Sequence, residues 1–207
     1  MFKPSMNMVS GQHFLEMTRF NRMSQFSRVD QSYSLTLSID EAHVLINLVE
    51  QLLELLGEGD FAHHYDNNDP FAQLMAMQQE ISAPEDPVLK RLLPNAYSDP
   101  EAADDFRRYT EPALRLNKQS ALRSIREALT VLVDNEADGI IEELDPQLWL
   151  KSINDLRLAL SVRLNITGDS FDTFENMPDE DPQKGIYAVY FWLGWLQESL
   201  LELLTSE

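Results

Sequence analysis

The sequence predicts a mainly α-helical protein, a bundle of about six to seven helices with an N-terminal β-hairpin. Three observations predict this fold. Asp-Pro pairs precede runs of apolar residues, and apolar residues recur at helical spacing over residues 39–204. In the segment that precedes residue 39, apolar and polar residues alternate. A chain of 207 residues with 43% apolar residues can bury the core of one ordinary domain. We expect residues 1–22 to be loosely ordered and residues 23–207 to form a single helical domain, with the hairpin over residues 23–38.

The hairpin is predicted from a pattern of period two. Tyr33, Leu35 and Leu37 alternate with serine and threonine, as in a strand that is buried on one face. Its expected partner strand runs over residues 23–29, with a turn at Asp30-Gln31.

The helix starts are predicted from their capping residues. Ser38 and Glu41 form a capping box before the first helix. In an Asp-Pro pair, aspartate accepts the free amide hydrogens of the first turn, and proline at the first helical position loses no hydrogen bond. The sequence has five such pairs, at Asp69-Pro70, Asp86-Pro87, Asp99-Pro100, Asp145-Pro146 and Asp181-Pro182. The predicted helices span residues 39–56, 70–82, 87–93, 100–110, 112–133, 146–164 and 182–204.

Two of these helices carry further expectations. Pro112 is expected to break or sharply kink the stretch that begins at Pro100, because proline has no amide hydrogen. The last helix is apolar nearly all round, which is typical of a helix at the centre of a bundle or in an interface.

Composition excludes several classes of function. Without cysteine there is no disulfide, thiolate metal site or cysteine nucleophile. A net charge of −19 argues against nonspecific binding to nucleic acid. The longest apolar stretch, residues 186–196, is shorter than the roughly 20 residues of a membrane span, and residues 1–5 do not lead into a signal peptide. We expect a cytoplasmic protein that is not an enzyme and binds no cofactor, since no phosphate loop or nucleophile motif occurs.

Two acidic segments resemble metal sites. Residues 134–145 place oxygen side chains and Gly139 at the spacing of a calcium loop, but Asp145 is short for the last ligand and Pro146 follows it directly. A plain acidic connection between helices is the favoured interpretation, and cation binding there is left open. Residues 60–69 contain the adjacent pair His63-His64, which cannot easily chelate one ion from a loop, so a solvated loop is favoured.

The basic residues are concentrated in one region. Half of the 16 lysines and arginines fall between Lys90 and Arg126. On predicted helix 112–133, four of them share about 140° of arc, namely Arg115, Lys118, Arg123 and Arg126. They pair with acidic residues of the chain itself, which is the favoured interpretation, or they form a partner-binding surface for an acidic segment.

Three blocks of the sequence resemble one family. They are Arg91-Leu-Leu-Pro94-Asn-Ala-Tyr97 with Phe106-Arg-Arg-Tyr-Thr-Glu111, then Trp149-Leu with Asn154-Asp155-Leu-Arg157, then Tyr187-Ala-Val-Tyr190-Phe-Trp192-Leu-Gly-Trp195-Leu-Gln197. The chain is similar to the actinobacterial AosR-like family. This resemblance implies an oxidative-stress regulator that acts on transcription by contacting a sigma factor of RNA polymerase. The alternative that it implies is a scaffold or adaptor linked to Clp proteolysis or cysteine metabolism, and a homo-oligomer is left open.

The chain departs from this family in its redox chemistry. The sensing attributed to the family uses a cysteine pair, and this chain has no cysteine, so a disulfide switch is excluded. Five of the eight methionines lie in the first 23 residues and are the remaining candidates for reversible oxidation. The charged residues of the blocks have a second interpretation, a buried polar network that fixes helix packing.

Overall fold

A computed structural model describes residues 24–57, 84–135 and 138–206 of the chain. Residues 1–22, predicted helix 70–82 and the loop with the two histidines lie outside this part. The described part forms six helices and a three-stranded sheet, which confirms the predicted fold class. The elements are β1 (Gln25–Val29), β2 (Ser32–Leu37), α1 (Ile39–Leu55), α2 (Pro87–Leu92), α3 (Pro100–Asp134), β3 (Gly139–Ile141), α4 (Pro146–Arg163), α5 (Ser170–Glu175) and α6 (Lys184–Thr205).

The sheet contains the predicted hairpin and one further strand. β1 and β2 are antiparallel on either side of the Asp30-Gln31 turn, where Asp30 adopts a left-handed φ of 55°. β3 pairs with β2 on its other edge, with Ile141 opposite Leu35. This strand corrects the expectation of a plain connection over residues 134–145. It was missed because three residues are too few to show a period of two.

The capping residues act largely as predicted. Ser38 Oγ accepts from the Glu41 amide, and Glu41 Oε2 accepts from the Ser38 amide at 2.8 Å, which completes the capping box of α1. Asp86, Asp99 and Asp145 are the N-caps of α2, α3 and α4. The pair at Asp181 forms a turn instead, so α6 begins two residues later than predicted, at Lys184. Helix α5 was not predicted, and its N-cap makes no side-chain hydrogen bond.

The expected break at Pro112 is wrong, because α3 runs without interruption from Pro100 to Asp134, and the alternative of a kink within the helix stays a prediction. The side chains around the proline explain this continuity. Glu111 accepts hydrogen bonds from Arg107, one turn earlier, and from Arg115, one turn later. These bonds connect the turns on either side of the proline, where a backbone hydrogen bond is missing.

Replacing Pro112 with alanine should therefore stabilise the protein. Alanine restores the amide that the Arg108 carbonyl lacks, and we expect a gain of about 1–3 kcal/mol in the free energy of unfolding. Urea denaturation of Pro112→Ala and of the control Pro100→Ala measures this gain. The control should change little, because proline at the first helical position loses no hydrogen bond. A destabilised Pro112→Ala variant would show that the proline ring contributes more through packing than it costs the backbone.

Helix α6 contributes several side chains to the core. One face packs on α4 and β1 and buries Trp192, Leu193 and Leu196. On another face of the helix, Phe191 packs against Phe171 and Phe174 of α5, with distances of 5.3 and 5.2 Å between the ring centroids. The helix therefore packs into the core on two faces, while Ile186 and Leu201 are each 40% exposed, so the choice between a central helix and an interface helix stays a prediction. None of the described helices combines the length and apolar character needed to cross a membrane.

Candidate partner-binding surface

The first sequence block runs from the end of α2 into the first part of α3, and it has a buried side and an exposed side. On the buried side, Arg107, Glu111 and Arg115 stand at successive i+4 positions, and we call them the charged ladder. One carboxylate oxygen of Glu111 is 3.3 Å from Arg107 Nη1, and the other is 2.7 Å from Arg115 Nη2. A single carboxylate therefore serves two buried guanidinium groups.

The charged ladder also holds other parts of the chain in place. Arg107 donates to Asn95 Oδ1, in the segment that leads into α3. Gln119 Nε2 donates to the Leu56 carbonyl at 3.0 Å, and Arg115 Nη1 donates to the same oxygen at 3.5 Å. Leu56 is the C-cap of α1, so these bonds satisfy a carbonyl at a helix end. Arg107 and Glu111 of the block, together with Arg115 and Gln119, therefore form a buried polar network, as one of the two interpretations of the sequence expected.

The second and third blocks pack against each other between α4 and α6. Arg157 Nη1 donates to Gln197 Oε1 at 2.5 Å, and the Arg157 guanidinium lies 5.2 Å from the centroid of the Tyr190 ring. Gln197 Nε2 in turn donates to Asn154 Oδ1 at 3.4 Å. A Cβ on Gly194 would lie only 3.2 Å from Arg157 Nη2, so the missing side chain gives the guanidinium its space. These polar residues therefore position two helices.

A further ion pair joins α3 to α4. Lys118 Nζ lies 2.7 and 2.8 Å from the two carboxylate oxygens of Asp155, which is buried. Burial raises the pKa of Asp155 above its ordinary value, and the ammonium of Lys118 lowers it only in part. The native state therefore holds the Asp155 proton at pH values where the unfolded chain has lost it.

This pKa shift predicts a pH-dependent difference between the wild type and Asp155→Asn. Asp155 contributes most favourably below its unfolded pKa of about 3.9, and this contribution falls as the pH rises through the raised folded pKa. The free energy of unfolding of the wild type should therefore fall relative to that of the variant from about pH 4 upward. Urea denaturation of both proteins over a pH series measures the difference between their free energies of unfolding. The other carboxylates are the same in both proteins, so their contributions cancel in this difference. A difference that moved in favour of the wild type would mean that Lys118 outweighs burial.

Of the four basic residues predicted to share one side of a helix, two form ion pairs with acidic residues of the protein itself. Arg115 is buried against Glu111, and Lys118 is paired with Asp155. Arg123 and Arg126 are half-buried further along α3 and also make interactions. For the first two residues the contacts agree with the favoured interpretation of internal pairing. The binding of an acidic partner by these four residues stays a prediction.

On the exposed side of the first block lie apolar side chains, which we call the aromatic patch: Tyr97, Phe106, Tyr109 and Leu114. Tyr109 is 67% exposed and Tyr97 is 54% exposed. The Tyr97 ring meets the edge of the Phe106 ring, with centroids 5.7 Å apart. Large aromatic side chains beside one another on a protein surface are typical of binding sites, where tyrosine often contributes most of the affinity.

The acidic segment that resembles a calcium loop uses its carboxylates in other ways. Asp138 Oδ1 accepts from the Ile39 amide at 2.8 Å, at the start of α1. Asp145 Oδ1 accepts from the amides of Gln147 and Leu148 as the N-cap of α4. Within the ranges that the structure describes, no three histidine, aspartate or glutamate side chains are grouped to hold a metal ion.

Comparison with known proteins gives the family. Residues 23–204 match the family described as a domain of unknown function, DUF2017. The chain is 33% identical over 172 residues to a protein of Mycobacterium leprae named "Putative oxidative stress regulator AosR". This match covers 78% of this chain and 77% of that protein. It is 31% identical over 180 residues to proteins of Mycobacterium tuberculosis and Mycobacterium bovis named "Oxidative stress regulator AosR", covering 82% of this chain and 80% of each relative.

No solved structure matches the chain. The match to the family extends over nearly all of the sequence and includes the three blocks, both in their buried networks and in the aromatic patch. The chain therefore belongs to the DUF2017 family and is a relative of the AosR-like oxidative stress regulators of actinobacteria.

Proposed function

We propose that this chain is a non-enzymatic regulator of the oxidative stress response that acts by binding a protein partner. The names of its relatives support a regulatory role. The observation that carries the binding proposal is the aromatic patch. Arg107 and Glu111 of the same block are buried and stabilise the fold, whereas Tyr97, Phe106 and Tyr109 keep part of their surface in water. Burying such rings against a partner is favourable, since each ring offers a large apolar area.

The partner that we propose is a sigma factor of RNA polymerase, as the family resemblance implies. Because the chain has no cysteine, its response to oxidants does not pass through a disulfide of its own. Regulation then depends on how much of the chain is present, on the state of the partner, or on methionine oxidation.

Titration of the labelled chain with purified sigma factors from its source organism tests this function. The variant Tyr109→Ser should weaken binding at least about tenfold, because an aromatic contact at the centre of an interface often contributes 2 kcal/mol or more. The matched control is Val131→Ser, since Val131 is 60% exposed on the same helix and lies outside the aromatic patch. Both variants replace an exposed apolar side chain, so both should keep the melting temperature of the wild type.

Two results would contradict the proposal. Equal weakening by Tyr109→Ser and Val131→Ser would remove the aromatic patch from the contact. If no sigma factor bound the wild-type chain, the sigma-factor function would fail, and co-purification with a Clp adaptor would then favour the scaffold alternative.

A further inference from the structure

Exposed carboxylates adjoin the aromatic patch on the first turns of α3. Glu101, Asp104 and Asp105 are all exposed, and the side chains of the two aspartates are 59% and 63% exposed. Glu101, Asp105 and Tyr109 follow at i, i+4 and i+8, so they line up on one side of the helix. A molecule that covers Tyr109 therefore also meets Glu101 and Asp105, while Asp104 adds negative charge on the neighbouring side of the same turns.

The neighbouring arginines do not cancel this negative charge. Arg107 is buried and is paired with Glu111 inside the charged ladder, and its Nε also lies 4.0 Å from Asp104 Oδ1, so it offsets that carboxylate only in part. Arg108 is half-buried, and its guanidinium lies 3.7 Å from Asp105, so it offsets one carboxylate in part. The net charge of the whole chain, −19, adds a long-range field of the same sign.

We propose that the aromatic patch takes an amphipathic helix of the partner, with apolar anchor residues flanked by lysine or arginine. This inference rests on the proposed function and assigns the chemistry of its partner. The apolar side chains would cover the aromatic rings, while the long basic side chains would reach the carboxylates at the edge. A second copy of this chain fits less well, because it would bring the same carboxylates to the contact. Phosphate-rich surfaces are repelled for the same reason.

Two synthetic helical peptides provide the probe. They share one pattern of leucine and phenylalanine and differ at the polar positions, which are lysine in one and glutamate in the other. Fluorescence anisotropy with the full chain should show the lysine peptide binding at least about tenfold more tightly than the glutamate peptide, with a preference that shrinks as salt is added. The Tyr109→Ser variant should lose most of this binding. Equal binding of the two peptides would overturn the inference.

A charge-matched pair of variants separates local recognition from general attraction. Glu101→Gln/Asp104→Asn/Asp105→Asn neutralises the carboxylates beside the aromatic patch and should weaken the lysine peptide about threefold to tenfold. Asp172→Asn/Glu175→Gln/Glu180→Gln removes the same charge from exposed positions in and after α5 and should change binding far less. Equal weakening by the two variants would overturn the inference.

The two proposals can fail separately. If the lysine peptide binds the aromatic patch but no sigma factor does, the proposed function fails and the inferred chemistry stands. If a sigma factor binds through Tyr109 and the variant at Glu101, Asp104 and Asp105 leaves its affinity unchanged, the function stands and the inferred chemistry fails.

Discussion

Replacing Glu111 with alanine should destabilise the protein by about 3–5 kcal/mol, because the change leaves two buried guanidinium groups without their shared carboxylate. Arg107 and Arg115 are both buried, and both donate to Glu111. The same carboxylate joins the turns on either side of Pro112, so its loss also weakens α3 where a backbone hydrogen bond is missing. Chemical denaturation in urea gives the change in the free energy of unfolding.

Two further variants make this test specific. Glu127→Ala removes an exposed glutamate from the same helix and should change stability by no more than about 0.5 kcal/mol. Arg107→Met/Glu111→Leu/Arg115→Met removes all three charges together and should recover much of the loss, since no charge is left unpaired. A loss below about 1 kcal/mol for Glu111→Ala would mean that water reaches the ladder and solvates the arginines.

Replacing Trp192 with alanine should cost about 3–5 kcal/mol, the usual range for a large aromatic side chain removed from a core. Trp192 is 1% exposed, and its Nε1 donates to Ser24 Oγ at 3.0 Å. The variant therefore leaves a cavity and also removes the hydrogen-bond donor to the buried Ser24 hydroxyl. Trp195→Ala is the matched control, because Trp195 lies on the same helix and is only half-buried. Equal losses for the two tryptophans would place the centre of the core elsewhere.

The parts of the fold that the sequence predicted are those determined by neighbouring residues. A capping box and an Asp-Pro cap act over three or four positions, and Ser38, Asp86, Asp99 and Asp145 each satisfy the amides that follow them. The hairpin belongs to the same class, since its two-residue turn fixes the register of β1 against β2.

The errors arose where contacts that the simple sequence rules leave out decide the structure. The rule for proline predicted a break at Pro112, but ion pairs across the proline keep α3 continuous. The strand β3 exists because β2 offers it an edge about 100 positions earlier in the chain, and three residues give no periodic signal for that.

At the candidate site, too, the sequence predicted the arrangement along one helix but not the contacts between helices. The sequence identified the first block as informative and placed Arg115 and Lys118 on one side of a helix. It could not show which side faces the core, because that depends on the end of α1 and on Asp155 in α4. A signal for the exposed side was present: once Arg107 and Glu111 are assigned to the interior, Tyr109 must point elsewhere on the helix.

The contact between Ser24 and Trp192 has a consequence for synthesis of the chain on the ribosome. These residues are 168 positions apart, so the β-hairpin is synthesised well before its packing partner α6. Until α6 is made, the hairpin lacks its contacts with that helix, although Phe26 can already pack on Trp149 of α4, and non-local contacts of this kind slow folding. A chain interrupted before α6 would present the surface that α6 covers to chaperones and proteases. The hairpin can therefore complete its packing only after α6 has been made.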